Sequence, residues 1–157
     1  MAKIILGLDP GIADTGFGVI KYDKGLMSCL DYGSIKTRAK TDLSERLEFL
    51  DKELEKLIRK HQPDIVAVEQ LFFNKNTKTA LIVAQARGVL LLRIKKNNVK
   101  IVEYTPGQVK QAVCAYGQAS KKQVQKMVKM ILKLKELPQP DDAADALAIA
   151  ICSSNIS

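Results

Sequence analysis

Asp9 closes the apolar run Ile4-Ile5-Leu6-Gly7-Leu8, and Glu69 closes a second, Ile65-Val66-Ala67-Val68. Asp142 and Asp145 stand one helical turn apart in Asp142-Ala143-Ala144-Asp145. Carboxylates at strand ends and on one helix face can converge, and converged carboxylates repel unless a cation neutralises them. Oxygen-only donors select hard ions, Mg²⁺ or Mn²⁺, over zinc. Two such ions, about 4 Å apart, clamp the attacking and leaving oxygens of an in-line phosphoryl displacement, here with water as the nucleophile. His61 is the only histidine, so no Ser–His or Cys–His pair competes for that chemistry.

Each carboxylate also has a plainer reading. Pro10 and Gly11 make a sharp turn after Asp9, where an aspartate can bond local N–H groups. Glu69 is harder to explain that way: Glu is disfavoured in strands, and an ionised Glu at a buried strand end needs a partner. No neighbouring Lys or Arg supplies one, which leaves a metal or a distant basic residue. Acidic residues in a helix's first turn complement its dipole. That accounts for Asp141 or Asp142 but not for Asp145, whose surroundings continue as Ala146-Leu147-Ala148-Ile149-Ala150-Ile151. Asp142 and Asp145, at i and i+3, share a face; Asp141 points elsewhere and is assigned a capping role.

The elements that must position these groups follow from periodicity. Lys3 to Asp9 reads as a buried strand. Gly16 to Tyr22 alternates as a second strand and Leu26 to Lys36 forms a third, joined through Asp23-Lys24-Gly25. Leu43, Leu47, Leu50, Leu54 and Leu57 make one helical stripe, with Thr41 or Asp42 as its cap, and Pro63 precedes the strand Asp64 to Glu69. Thr77 to Lys95 reads as a helix apolar on several faces. Its row Ala80, Ala84 and Gly88 permits close approach of another helix, so it is either fully internal or covered on one face by a partner subunit. Lys100 to Tyr104 is a short strand. Thr105-Pro106 starts a helix, Ser120 caps the next, and Pro138 and Pro140 break the chain before a last helix from Asp141 to about Ser153. On the helix after Ser120, Val124, Met127, Val128 and Ile131 face the core, while Lys122, Lys126, Lys129 and Lys133 form a stripe opposite. This order predicts an α/β ribonuclease H-like fold, a mixed five-stranded sheet flanked by helices, with residues 1–157 as one domain.

Composition narrows the partners. Lys plus Arg number 25 against 17 Asp plus Glu, a formal net charge of +8. A net positive surface attracts phosphate backbones, and an acidic pocket on such a surface suits a Mg²⁺-dependent enzyme that cuts nucleic acid. Aromatics are 5% and Trp is absent, against a stacking platform for single strands. Cys29, Cys114 and Cys152 have no metal-binding spacing and read as reduced thiols. With no secretory leader and no long apolar span, a cytoplasmic protein is expected. His61 lies at a helix end and is given no catalytic part.

The blocks Gly7-Leu8-Asp9-Pro10-Gly11, Ala67-Val68-Glu69-Gln70, Gln85-Ala86-Arg87-Gly88, Gln108-Val109-Lys110-Gln111 and Asp142-Ala143-Ala144-Asp145-Ala146-Leu147-Ala148-Ile149-Ala150 follow one another in the order of the RuvC family of Holliday junction resolvases, which this chain resembles from Met1 to about Cys152. The resemblance implies a homodimer that nicks four-way DNA junctions in paired, symmetric fashion during recombination and repair. It also implies a functional link to the RuvA and RuvB branch-migration proteins. Asp9, Glu69, Asp142 and Asp145 fall on the family's ligands for two Mg²⁺ ions, with Mn²⁺ as substitute. Lys110 and Lys121 match its lysines near the scissile strand, and Phe72 its aromatic contact to unstacked bases. Lys121, Lys122 and Lys126 are candidates for phosphate contact, although such a run is also a solvated face.

Three other readings stand beside this one. A non-catalytic binding module on the same fold would have lost carboxylates, and none is lost here. An actin-like ATPase shares the Gly7–Gly11 pattern but needs a second half to enclose its nucleotide. A related nuclease acting on an RNA–DNA hybrid would use the same carboxylates.

Overall fold

A computed structural model describes residues 1–71 and 77–155. Five strands and five helices follow in the order β1 (Lys3–Asp9), β2 (Asp14–Asp23), β3 (Leu26–Lys36), α1 (Leu43–His61), β4 (Ile65–Glu69), α2 (Thr77–Lys96), β5 (Lys100–Tyr104), α3 (Pro106–Cys114), α4 (Lys121–Ile131) and α5 (Asp141–Ser154). The sheet runs β3-β2-β1-β4-β5. β1 and β3 flank β2 antiparallel, while β4 lies parallel to both β1 and β5. The mixed sheet expected from the order of elements is therefore present.

Strand alternation sorts side chains onto two faces. Leu6, Leu8, Val66 and Val68 pack with Leu50, Leu54 and Ile58 of α1 and Ala86, Leu90 and Ile94 of α2. Ile5 and Ala67 point the other way, into a core shared with Val109 and Val113 of α3, Val124 and Val128 of α4, and Leu147 to Cys152 of α5. The same period of two carries Asp9 and Glu69 onto the α5 side, just past the last buried residue of each strand.

α5 is buried from Ala143 to Ser154 apart from the half-buried Asp145, and two glycines let it lie against the strands. A β-carbon on Gly7 would collide with the backbone of Ala146 and Ala150, and one on Gly16 with the backbone of Asp142. Without this close approach the start of α5 could not reach the end of β1.

The helix starts differ in detail from the sequence expectation. Thr105 and Ser120 each form a full capping box, with Gln108 and Gln123 respectively. Asp42 is the N-cap of α1 but makes no side-chain cap bond, and the Thr41 hydroxyl instead donates to the Arg38 carbonyl at 2.8 Å. Asp141 does not cap α5: Pro140 occupies the N-cap position and Asp141 is the first helical residue. In α2 the small-residue row is split, because Ala80 is buried while Gly88 is exposed. Cys29, Cys114 and Cys152 are free thiols. His61 bonds Asp31 through Nε2 at 2.9 Å. Among the described residues no helix is long and apolar enough to cross a membrane.

Candidate active site

β1 and β4 are adjacent and parallel, with Leu8 paired to Val68. One step further along, Asp9 and Glu69 stand side by side at the same end of the sheet, where both line one cleft. The first turns of α5 complete the cluster from above. Asp9, Asp142 and Asp145 each offer a carboxylate oxygen, all within 4.8 Å of one another. Glu69 lies beside them in the cleft, close enough that its charge raises the Asp9 pKa and that of Asp145 raises its own. Three loci separate in sequence thus supply four carboxylates to one place.

The electrostatics reflect the crowding. Burial, followed by the charges of Glu69, Asp145 and Asp142, pushes the Asp9 carboxyl up to about 8. Burial also raises Glu69, helped by Asp145 and opposed by Lys110. Asp145 is raised by burial, against the pull of Lys121. Lys121 is held above the ordinary lysine range chiefly by Asp145. Its Nζ stands 3.5 Å from Asp145 Oδ2 and 4.0 Å from Asp141 Oδ2, so Asp141 shares this lysine instead of capping its own helix.

A cleft of about 280 Å³ opens beside the cluster, lined by Asp9, Glu69, Asp145, Lys110 and Lys121 over an apolar floor that includes Val124. Lys110 lines the same cleft as Glu69, and its charge pulls the Glu69 pKa down. The Arg87 Nε donates to the Glu69 backbone carbonyl at 3.2 Å, fixing the end of β4 without neutralising its carboxylate. Two lysines against four carboxylates leave a deficit of positive charge, and every donor is oxygen. A hard divalent cation fits that donor set.

The structure therefore brings together Asp9, Glu69, Asp142, Asp145, Lys110 and Lys121. Lys122 and Lys126 are on α4 and do not line the cleft; Lys126 lies along a separate groove with Lys129, Met130 and Lys133. Phe72 lies outside the described residues. Gly7 and Gly16, which seat α5, were not among the residues singled out from sequence, although glycine inside a strand signals close approach of another backbone.

A mixed sheet whose central strand ends in an aspartate, met by a second strand's glutamate and two aspartates of the last helix, defines a ribonuclease H-like nuclease. The model of the family "Crossover junction endodeoxyribonuclease RuvC" matches residues 5–153, and the chain belongs to that family. It is 57% identical over 152 residues to the RuvC of Ruminiclostridium cellulolyticum, covering 97% of this chain and 92% of that one. To the RuvC of Finegoldia magna it is 53% identical over 148 residues, covering 94% and 90%. The solved structure of Thermus thermophilus RuvC superposes with a TM-score of 0.88 at 36% identity, covering 97% of this chain and 92% of that one. The same protein in complex with Holliday junction substrate gives a TM-score of 0.91 at 35% identity, covering 96% and 92%.

Proposed function

We propose that this protein resolves four-way DNA junctions by Mg²⁺-dependent hydrolysis of one phosphodiester in each of two symmetry-related strands. The convergence of Asp9, Asp142 and Asp145, with Glu69 alongside, carries the reading. The complex of the Thermus thermophilus relative with a Holliday junction supports the choice of substrate.

In this reading Asp9, Glu69, Asp142 and Asp145 hold two Mg²⁺ ions, with Mn²⁺ able to substitute. When bound, the ions supply Lewis-acid stabilisation of the attacking and leaving oxygens. The chain's own residues do the rest. β1, β4 and α5 fix the carboxylates on rigid elements, so little rearrangement is needed as charge develops. Lys121, seated at the start of α4 by the Ser120–Gln123 capping box, and Lys110 on α3 face the cleft and place positive charge beside the phosphate.

A homodimer is part of the reading. On α2 the residues Leu81, Gln85, Gly88 and Leu92, spaced four, three and four apart, are all exposed. Leu81 and Leu92 keep 61% and 57% of their surface in solvent, and a β-carbon at Gly88 would meet nothing within 4 Å. The apolar stripe is open where a second helix can approach, and a two-fold pair places two clefts on symmetry-related strands.

The test is a cleavage comparison of a four-way junction, a linear duplex, a fork and an RNA–DNA hybrid, each with Mg²⁺ or with EDTA. Paired nicks in the junction, dependent on Mg²⁺, are expected. Preferential cutting of the hybrid, or junction binding without any Mg²⁺-dependent product, would contradict the reading.

A further inference from the structure

A second cluster of cations lies at the same end of the sheet, outside the cleft. Lys36 at the end of β3, Arg38 in the following turn and Arg46 on α1 line a pocket of about 350 Å³ with Thr37, Glu45 and Phe49. None of these three cations has a carboxylate within 4.0 Å among the described residues, Glu45 included. Further along α1 the opposite holds. Lys52, Lys56, Arg59 and Lys60 pair with Glu48, Glu53, Glu55 and Asp31 at 2.8 to 3.2 Å. The helix thus satisfies its cations everywhere except around this pocket.

Arg46 is also held in place. Its Nε donates to the Thr37 hydroxyl at 2.9 Å, and that hydroxyl donates to the Ile12 carbonyl at 2.5 Å. The Thr37 N–H donates to the Ala13 carbonyl at 3.1 Å. A guanidinium fixed through Nε keeps its two terminal nitrogens for a planar pair of anionic oxygens. The chain of bonds ends on Ile12 and Ala13, in the turn that begins directly after Asp9.

Register gives the distance. Asp9 pairs with Gly16 and Gly16 with Ser34, two residues before Lys36. Two strand spacings and a two-residue advance put the Lys36 backbone about 12 Å from that of Asp9 in the plane of the sheet, the axial rise of about three to four base pairs. Lys110 and Lys121 flank Asp9 from α3 and α4, on the other face of the sheet.

We infer that Lys36, Arg38 and Arg46 form a phosphodiester-binding site for the backbone of a junction arm, a few nucleotides from the cut, with Arg46 as its positioning residue. The inference rests on the junction-cleaving reading above and adds a contact outside the cleft. Such a site fixes the arm's register on the protein without reading sequence.

The experiment is fluorescence-anisotropy titration of a four-way junction in Ca²⁺ across a KCl series, with single-turnover cleavage in Mg²⁺ at saturating protein. Two variants are compared with wild type: Arg46→Gln, and Lys36→Gln with Arg38→Gln. The second leaves the Arg46–Thr37 bond intact. Lys24→Gln, in the turn at the opposite end of the sheet, is the control. Both pocket variants should bind at least about tenfold more weakly at moderate salt, with log Kd against log[KCl] less steep by about one for each phosphate that is no longer neutralised. Cleavage at saturation should stay within about twofold of wild type, and Lys24→Gln should match wild type throughout. If Lys36→Gln/Arg38→Gln binds with wild-type affinity and salt slope, the site is overturned, even if Arg46→Gln is impaired. If wild type itself neither binds nor cuts the junction, the functional reading beneath it fails instead.

Discussion

Gly16 is paired opposite Asp9 in the sheet and lies directly beneath the backbone carbonyl of Asp142, so close that a β-carbon would overlap it. One residue without a side chain therefore sets the distance between the first strand's carboxylate and those of the last helix. Gly16→Ala should lift the start of α5, destabilise the fold by about 1–3 kcal/mol and weaken Mn²⁺ binding more than an equally destabilising substitution in the α1 core. Isothermal titration with Mn²⁺, beside thermal melts of Gly16→Ala and Leu54→Ala, separates the local effect from the general one.

On the proposed reading, protons and metal compete for the cluster. Asp9 titrates near 3.8 in the unfolded chain but at about 8 in the folded, metal-free protein. Between those values the folded state holds a proton that the unfolded state has released. This stabilisation is complete below the unfolded value and is lost as pH rises through the folded one. Glu69 and Asp145 shift in the same direction. In EDTA the melting temperature should fall from about pH 4 to about pH 8 and level off above, and the gap between Mg²⁺ and EDTA melts should widen over that range. Asp9→Asn should flatten the EDTA profile; an unchanged slope would remove Asp9 as its source.

Lys121 is bound to the cluster through Asp145 at 3.5 Å, yet its side chain remains 56% exposed and open to the cleft. Lys121→Met should slow single-turnover junction cleavage by about 10²–10³-fold while changing junction affinity only a few-fold. A loss confined to affinity would make it a binding residue alone.

The stripe of Leu81, Gly88 and Leu92 predicts the assembly. Leu92→Asp would bury an unpaired charge in a two-fold interface, weakening it by about 3 kcal/mol or more, over a hundredfold in Kd. Sedimentation velocity should show a dimer for wild type and a monomer for the variant. The variant's nicks in opposite strands should then lose their coupling.

What the sequence disclosed, and what it hid, follows from the range of each interaction. The apolar runs Ile4 to Leu8 and Ile65 to Val68 are local signals, and they placed both acidic residues at strand ends. The caps at Thr105 and Ser120 are equally local, and each forms a full capping box. The role of Asp141 was misjudged for the converse reason, whereas Asp42 does take the N-cap position of α1, without a side-chain bond. Pro140 takes the cap position of α5, and Lys121, twenty residues before Asp141, draws it outward. The α2 row divided because Ala80 turns inward while Gly88 faces solvent, a rotation of one helix set by its packing against α1 and the sheet. The basic pocket was illegible for the same reason: Lys36, Arg38 and Arg46 become one site only once β3 turns into α1 and Thr37 ties both to the loop after Asp9.

Anomalous diffraction from crystals grown in Mn²⁺ tests most directly that the four carboxylates form one metal site. Density should appear among Asp9, Glu69, Asp142 and Asp145, with Asp9 oxygens in its coordination shell. A map with no anomalous peak among those four side chains at saturating Mn²⁺ would contradict it.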